Sequence, residues 1–291
     1  MNSHLDLHIK PTQISLHSQL IPIVSFLQLL LRTSASMANL SFILGVIGNV
    51  ISILLFASPI FSFVSRKTFW GVIKKKSTGD YKGEPYITTL LSTSLWTLYG
   101  IINPDGLLVM TVNGAGAILQ LIYVILFLVY APKDAKVKAA KLVCVVNVGV
   151  LGTVTAVTLF AVHKNTRLTF VGILCTALTI GMYASPLSAM STVVKTKSVE
   201  YMPFLLSLFL FLNAGVWSVY AVLVKDIYIG VPNAVGLFLG SAQLILYVIY
   251  KNKPVSTNPS EAIEEEEEEE EGGSAHPARR GIEMNSSLGN V

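Results

Sequence analysis

The sequence predicts an all-α membrane protein, in which seven transmembrane helices form two parallel three-helix repeats joined by a linker helix (3+1+3). The first observation is compositional: 52% of the 291 residues are hydrophobic and 13% are charged, with a mean hydropathy of +0.62. The second is a series of long apolar runs, and the third is a motif that occurs twice. A chain with these properties is suited to lipid rather than to water.

Seven apolar runs follow Met37, and most approach the ~20 residues that a helix needs to cross a hydrocarbon core about 30 Å thick. The runs lie at about 40–64, 86–102, 107–130, 141–163, 168–193, 203–224 and 227–250. A helix satisfies its backbone hydrogen bonds within the segment, as lipid requires. Each run is therefore predicted to be a transmembrane helix, numbered 1 to 7 in chain order.

The repeated motif relates helices 1–3 to helices 5–7. The chain reads STSLWTLYGIINPDGLLVMTVNGAG at 92–116 and FLNAGVWSVYAVLVKDIYIGVPNAVG at 211–236, with a Trp and a later Asn at near-equal spacing. FASP at 56–59 and YASP at 183–186 extend the match to helices 1 and 5. Because helix 4 adds one span between the triplets, both triplets run in the same direction through the membrane.

The distribution of basic residues predicts the topology. The loops 1–2, 3–4 and 5–6 and the start of the tail carry 14 Lys and Arg residues, and the other three loops carry 3. The positive-inside rule therefore places the C-terminus in the cytosol and the N-terminus in the lumen or outside the cell.

The flanking segments differ in composition from the helical region. Eight consecutive glutamates, Glu264–Glu271, predict a solvated, disordered tail. The first triplet also carries about six extra residues, FSFVSR at 61–66. The predicted organisation is an N-terminal extension expected to be disordered (1–36), a first repeat (37–132), linker helix 4 (133–166), a second repeat (167–253) and an acidic tail (254–291).

The residues argue against catalysis and against ion coupling. The carboxylates and His163 flank the predicted spans, whereas ion-coupled transport normally uses ionisable groups inside them. Cys144 and Cys175 lie in apolar runs without metal-ligand spacing. We therefore expect neither an enzyme, nor a metal site, nor a cofactor, nor binding to nucleic acid.

Residues 38–253 resemble the SWEET family of sugar transporters. The resemblance is carried by GNVIS and FASP in helix 1, by GEPY before helix 2, and by LWTLYG, TVNG, YAPK, MYASPLSAM, VEYMPF and VPNAVG further along. It implies uncoupled, bidirectional transport of sugars by alternating access, in a parallel-repeat architecture for which the family is a known example. The start MANLSF and the segment VEYMPF most resemble the plant vacuolar branch, so the vacuolar membrane is expected, with the plasma membrane as the alternative.

The resemblance also implies a sugar pocket made from both repeats. An indole offers a flat face for a sugar ring, and an amide offers both a donor and an acceptor for hydroxyls. Each repeat is expected to contribute one Trp and one Asn, so that the sugar is held from both sides: Trp96 and Asn113 from the first repeat, Trp217 and Asn233 from the second. Four further positions are expected to set the pocket size: Leu55, Ser92, Met182 and Asn213. Three of these four are bulky, which favours a monosaccharide such as fructose or glucose over a disaccharide.

Two further sets of residues are assigned to moving parts by the same resemblance. A hinge near the cytosolic gate is expected from Pro59, Pro85, Pro186 and Pro203, although Pro85 and Pro203 equally suit the start of a helix. An outer gate is expected from Tyr99, Tyr220 and Asp226, although Tyr at that depth also serves as an interfacial anchor.

The expected partners are a monosaccharide, the lipid bilayer and further copies of the chain. Two other functions fit seven helices with opposite termini: a receptor, and a scaffold that senses sugar through its acidic tail. A receptor has no need of matched Pro, Trp and Asn residues in two triplets, so the repeat favours a transporter.

Overall fold

The computed structural model describes residues 35–59 and 82–252. These residues form seven helical spans and contain no strand. In chain order the spans are α1 (Ala35–Pro59), α2 (Glu84–Ile102), α3 (Leu107–Tyr130), α4 (Lys133–Ala161), α5 (Lys164–Thr196), α6 (Phe204–Val224) and α7 (Ile227–Tyr250). The all-α, seven-helix prediction is confirmed.

Six of these spans are long and apolar enough to cross a membrane, and α2 is the exception. Nine of the 19 residues of α2 are buried against protein, so the helix needs less lipid-compatible surface. Its threonines are satisfied within the helix: Thr89 donates to the Pro85 carbonyl at 2.7 Å and Thr97 donates to the Thr93 carbonyl at 2.7 Å. A span surrounded by other helices can therefore be more polar than its neighbours.

Within the first triplet, α3 lies between α1 and α2. The Asn49 amide of α1 donates to the Leu108 carbonyl of α3 at 2.9 Å, and the Tyr123 hydroxyl of α3 donates to the Phe56 carbonyl at 3.1 Å. α3 also packs along α2. In the second triplet α7 packs against both α6 and α5 in the same way. The triplets meet where α2 packs on α5 and where α1 contacts α6.

Linker helix α4 packs against α2 and α3 of the first triplet. It contains two π-helical stretches, Cys144–Val150 and Val157–Ala161. Most of its apolar surface is exposed; the Phe160 side chain, for example, is 89% exposed. This is the surface expected of a helix that faces lipid on most of its circumference.

Two proline-linked irregularities interrupt the second triplet. α5 consists of two α-helical segments, Arg167–Met182 and Ala184–Thr196, which meet at Tyr183. Pro186 has no N–H to donate to the Met182 carbonyl, so the regular hydrogen-bond ladder is lost at this junction. α7 carries Pro232 in its interior.

Some predicted features lie outside the described residues. They are most of the N-terminal extension (1–34), the extra segment at 61–66 and the acidic tail that includes Glu264–Glu271. α1 begins at Ala35, two residues inside the extension expected at 1–36.

Candidate functional site

A cavity of about 140 Å³ lies between the two triplets. Both triplets contribute to it, through α1, α2, α3, α5, α6 and α7. Its lining residues are Ser52, Phe56, Trp96, Val109, Val112, Asn113, Thr179, Asn213, Trp217, Ile229, Pro232 and Asn233. None of these residues is ionisable, so the cavity offers amides, hydroxyls, indoles and apolar surface.

Five of the eight residues expected to bind substrate line this cavity: Trp96, Asn113, Asn213, Trp217 and Asn233. The other three, Leu55, Ser92 and Met182, do not line it. Ser92 is buried, and the other two are half-buried. Their expected role in setting the pocket size remains a prediction.

One side of the cavity, the α1–α6 wall, is formed by Ser52, Asn213 and Trp217. The Trp217 indole N–H donates to Ser52 Oγ at 3.1 Å, and Ser52 Oγ donates to Asn213 Oδ1 at 2.7 Å. Ser52 belongs to the first triplet, and the other two residues belong to the second. The two bonds therefore join the triplets through one buried hydroxyl.

The opposite side, the α2–α5 wall, is formed by Trp96 and Thr179. The Trp96 indole N–H donates to Thr179 Oγ1 at 3.1 Å. Thr179 Oγ1 then donates to the carbonyl of Cys175 in its own helix at 2.8 Å. Because Ser52 and Thr179 each stand seven residues before the proline of FASP or YASP, they occupy equivalent positions in the two triplets.

Each indole is also held by the tyrosine one turn further along its helix. The ring centroids of Trp96 and Tyr99 are 5.3 Å apart at 75°, and those of Trp217 and Tyr220 are 5.2 Å apart at 77°. Edge-to-face pairs of this kind contribute about 0.5–1.5 kcal/mol beyond the burial of their area. The indole planes are therefore fixed from two directions, by a hydroxyl and by an aromatic ring.

The two cavity asparagines on α3 and α7 present equivalent groups. Asn113 Nδ2 donates to the Val109 carbonyl at 2.9 Å, and Asn233 Nδ2 donates to the Ile229 carbonyl at 2.7 Å. Neither amide oxygen has a donor among the described residues. Each can therefore accept a hydrogen bond from a hydroxyl of a molecule in the cavity.

The backbone of α7 is adapted to the cavity at Pro232. This proline cannot donate to the carbonyl of Tyr228, which instead accepts a hydrogen bond from Thr176 Oγ1 at 3.1 Å. The Pro232 carbonyl accepts a hydrogen bond from the Tyr183 hydroxyl at 2.6 Å. α5 thus supports α7 at two points beside the asparagine that enters the cavity, and the carbonyl freed by proline is satisfied as lipid burial requires.

A second polar cluster lies beyond the indoles, where α2 ends and α7 begins. The Tyr99 hydroxyl donates to Asp226 Oδ2 at 2.6 Å, and Asn103 Nδ2 donates to the same oxygen at 3.1 Å. Asp226 Oδ1 caps α7 by accepting from the backbone N–H groups of Tyr228 and Ile229. Tyr220 lines a cavity of about 190 Å³ at this end. One carboxylate thus joins α2 of the first triplet to α7 of the second.

The four prolines expected to act as hinges lie at the opposite end. Pro59 is the last residue of α1, and Pro186 lies in the second segment of α5. Pro85 stands in the first turn of α2, and Pro203 is the N-cap of α6. The latter pair occupies helix starts, the arrangement that also suits a non-hinge role.

Sequence reasoning did not single out Ser52, Phe56, Thr179 or Asn103. For Ser52 and Thr179 a signal was present, because both are hydroxyl residues at the same distance from the proline of each repeat. For Asn103 no pattern was visible, since its role depends on how the end of α2 meets α7. The described residues contain no group of three or more His, Cys, Asp or Glu side chains that could hold a metal ion.

The family model described as "Sugar efflux transporter for intercellular exchange" matches this chain twice, at residues 42–135 and 169–255. The chain is 60% identical over 215 residues to the bidirectional sugar transporter SWEET16 of Oryza sativa subsp. japonica, covering 74% of this chain and 64% of that protein. It therefore spans less than two thirds of this relative's length. It is 51% identical over 221 residues to the bidirectional sugar transporter SWEET17 of Arabidopsis thaliana, covering 75% of this chain and 89% of the relative.

A solved structure of a eukaryotic SWEET transporter matches the fold. The TM-score is 0.68 and the sequence identity is 38%, over 73% of this chain and 97% of that one. The double match of the family model coincides with the two triplets that the sequence repeat relates.

Proposed function

The chain belongs to the SWEET family of sugar transporters, and from this premise we propose that it carries a monosaccharide, fructose or glucose, across a membrane by facilitated diffusion. Transport is uncoupled and bidirectional. The observation that carries the proposal is the cavity between the triplets. Equivalent positions of the repeat place in it two indoles and two amide oxygens that accept no hydrogen bond from the part of the chain that the structure describes. Polar hydroxyls and an apolar ring face are the two surfaces that a pyranose or furanose presents.

Uncoupled transport is supported by the chemistry of the cavity. Its described lining contains no carboxylate, histidine, lysine or arginine. A proton-coupled carrier needs such a group to take up and release the proton during the cycle. Here the sugar gradient alone sets the direction of net flux.

Alternating access is supported by the positions of the bonds that cross between the triplets. The Tyr99–Asp226 bond joins them at one end, and the two indole–hydroxyl bonds join them beside the cavity. The break of α5 at Tyr183 and the prolines Pro59, Pro85, Pro186 and Pro203 lie towards the other end. We assign Tyr99, Tyr220 and Asp226 to an outer gate and the four prolines to hinges, so that rocking of one triplet against the other exposes the cavity to each side in turn.

The bulk of Leu55, Met182 and Asn213 supports a monosaccharide over a disaccharide. By resemblance to the vacuolar branch we place the protein in the vacuolar membrane, with its N-terminus in the lumen and its C-terminus in the cytosol. We also expect further copies of the chain as partners in the membrane.

The test is uptake of labelled fructose, glucose and sucrose in yeast that lacks its own hexose transporters. We expect uptake of the hexoses, and Asn113→Ala and Asn233→Ala should each reduce it about tenfold, because a sugar hydroxyl then loses its acceptor in a water-poor cavity. Asn147→Ala is the matched control, since Asn147 lies on α4 away from the cavity and bonds the Ile87 carbonyl. All rates are normalised to protein in the membrane.

Three results would contradict the proposal. Sucrose carried faster than both hexoses would exclude the substrate assignment. A strong fall in flux with a protonophore would exclude uncoupled transport. An equal loss of uptake in Asn147→Ala and in the two cavity variants would show that the cavity asparagines have no specific role in transport.

A further inference from the structure

We propose that the acidic run Glu264–Glu271 docks on a lysine cluster at the cytosolic start of α2 and α4 of the same chain. The lysine cluster comprises Lys82, Lys133, Lys136, Lys138 and Lys141. This contact is independent of the proposed function, because it concerns the face of the protein outside the spans and does not involve the cavity residues.

The surface is basic and concave. A notch of about 310 Å³ opens between the start of α2 and the first turns of α4. Lys82, Glu84 and Lys138 stand on its rim, and Phe127 and Ala139 lie within it. The N-termini of α2 and α4 both point to this face, and their helix dipoles add positive potential there.

The notch already binds one carboxylate. Lys138 Nζ lies 3.3 Å from Glu84 Oε1, and the two side chains are 78% and 44% exposed. The remaining lysines outnumber the carboxylates nearby. Lys82, Lys133 and Lys141 have no ion-pair partner among the described residues. Besides Glu84, the nearby carboxylate is that of Asp134, in the first turn of α4. The surface thus has ammonium groups left over for further carboxylates.

The shape of the cluster favours an extended acidic segment. From Lys133 to Lys141 the helix advances about 12 Å along its axis at 1.5 Å per residue. Eight glutamates in extended conformation span about 27 Å, so they can contact several of these ammonium groups at once, whereas one phospholipid phosphate contacts only those beside it.

The tail is long enough to reach the cluster. The odd-numbered helices α1, α3, α5 and α7 end at the same face of the bundle at which α2, α4 and α6 begin. Glu264 lies twelve positions beyond Asn252, and an extended chain of this length spans up to about 40 Å. A bundle of seven helices packed 8–10 Å apart is about 30 Å across. Tethering raises the effective concentration of the run to the millimolar range, so weak individual ion pairs suffice.

The experiment is zero-length carbodiimide cross-linking of the full-length protein in phosphatidylcholine nanodiscs, read by mass spectrometry. We expect amide links from Glu264–Glu271 to the lysine cluster, and at least a fivefold loss of these links in 1 M NaCl, because salt screens exposed charges. The Glu84–Lys138 pair is an internal positive control. Lys164 and Lys225, at the opposite end of the bundle, are the matched negative controls.

Two variants test the origin of the links. Replacing all eight glutamates with Gln, or combining Lys82→Gln, Lys138→Gln and Lys141→Gln, should remove most of the links while the melting temperature of the helical bundle stays within a few degrees. Because the side chains of Lys82, Lys138 and Lys141 are exposed, the lysine variant should fold.

Four outcomes would overturn the proposal: no links from the acidic run, equal linking to Lys164 and Lys225, links that persist in high salt, or links found only between differently labelled copies in a mixed 14N/15N sample. A fifth would replace it with a lipid site. In that case phosphatidylserine in the nanodisc would abolish the links and raise the melting temperature in a way that depends on the same lysines.

Discussion

The two walls of the cavity come from equivalent positions of one repeat, yet their hydrogen bonds end differently. In the α1–α6 wall, the Ser52 hydroxyl accepts a hydrogen bond from the Trp217 indole N–H and donates one to Asn213 Oδ1, on a side chain of the other triplet. In the α2–α5 wall, the Thr179 hydroxyl accepts a hydrogen bond from the Trp96 indole N–H, but it donates its own hydrogen bond within its helix, to the Cys175 carbonyl. Two bonds therefore cross between the triplets on one side and one bond crosses on the other.

The difference arises from a single pair of equivalent residues. Asn213 and Ser92 each stand four residues before the tryptophan of their helix. The longer amide of Asn213 reaches Ser52 across the interface, whereas Ser92 lies outside the cavity lining. A repeat that conserves the spacing of its residues can thus still produce one strongly linked and one weakly linked wall.

The largest expected difference comes from removing the hydroxyl of each wall. Ser52→Ala leaves both the Trp217 N–H and the Asn213 oxygen without a partner, whereas Thr179→Val leaves only the Trp96 N–H. Each buried polar group left without a hydrogen-bond partner costs ~1–3 kcal/mol. A rise of about 1.4 kcal/mol in an activation free energy lowers the rate about tenfold. We expect hexose uptake to fall about tenfold in the first variant and about threefold in the second. Equal losses would show that the two walls are energetically the same.

A smaller difference is expected at the Tyr99–Asp226 end. Tyr99→Phe removes a hydrogen bond to a carboxylate, whereas the Tyr220 hydroxyl has no partner among the described residues. Bonds to charged groups contribute ~1.5–3 kcal/mol, so Tyr99→Phe should lower uptake about fivefold and Tyr220→Phe by less than twofold. Initial rates at matched protein levels measure both. If Tyr220→Phe lowered uptake more than Tyr99→Phe, the outer gate would depend on Tyr220 rather than on the bond between Tyr99 and Asp226.

The smallest effect is expected from making the walls alike. Asn213→Ser places the same residue at both positions and shortens the side chain on the α1–α6 wall. We expect the ratio of sucrose to glucose uptake to rise about threefold, because the cavity gains room while Ser52 loses its acceptor. The reciprocal Ser92→Asn should lower that ratio. Competition between the two labelled sugars measures the change, and an unchanged ratio in both variants would remove this pair from substrate selection.

Much of the fold could be predicted because it depends on local, periodic signals. Apolar runs of sufficient length predicted the spans, and the run at 86–102 predicted α2 although its Ser and Thr residues lower its hydropathy. The break of α5 was foreseeable from Pro186. The irregularity at Pro232 was missed, although a proline inside an apolar run and beside Asn233 was a visible signal.

The candidate site was only partly predictable, because its residues come from six helices. The near-equal spacing of Trp and Asn in the two copies singled out Trp96, Asn113, Trp217 and Asn233. Leu55, Ser92 and Met182 were expected at the cavity from the resemblance, but they are not among the residues that line it, and their role in setting the pocket size stays a prediction. Which residues of a helix face a central cavity depends on its rotation against its neighbours, and that rotation is not encoded in spacing alone.

The sequence by itself determined the class of the molecule. Hydropathy sets which segments can enter lipid, and the period of the repeat sets how the spans are related; both are properties of the chain read in order. Only the tertiary structure decided that Ser52 and Thr179 hold the two indoles, that Asn103 joins Tyr99 on Asp226, and that the walls are unequal. These contacts link residues up to 165 positions apart, and a hydrogen bond depends on tenths of an ångström between side chains that meet only after the helices have packed.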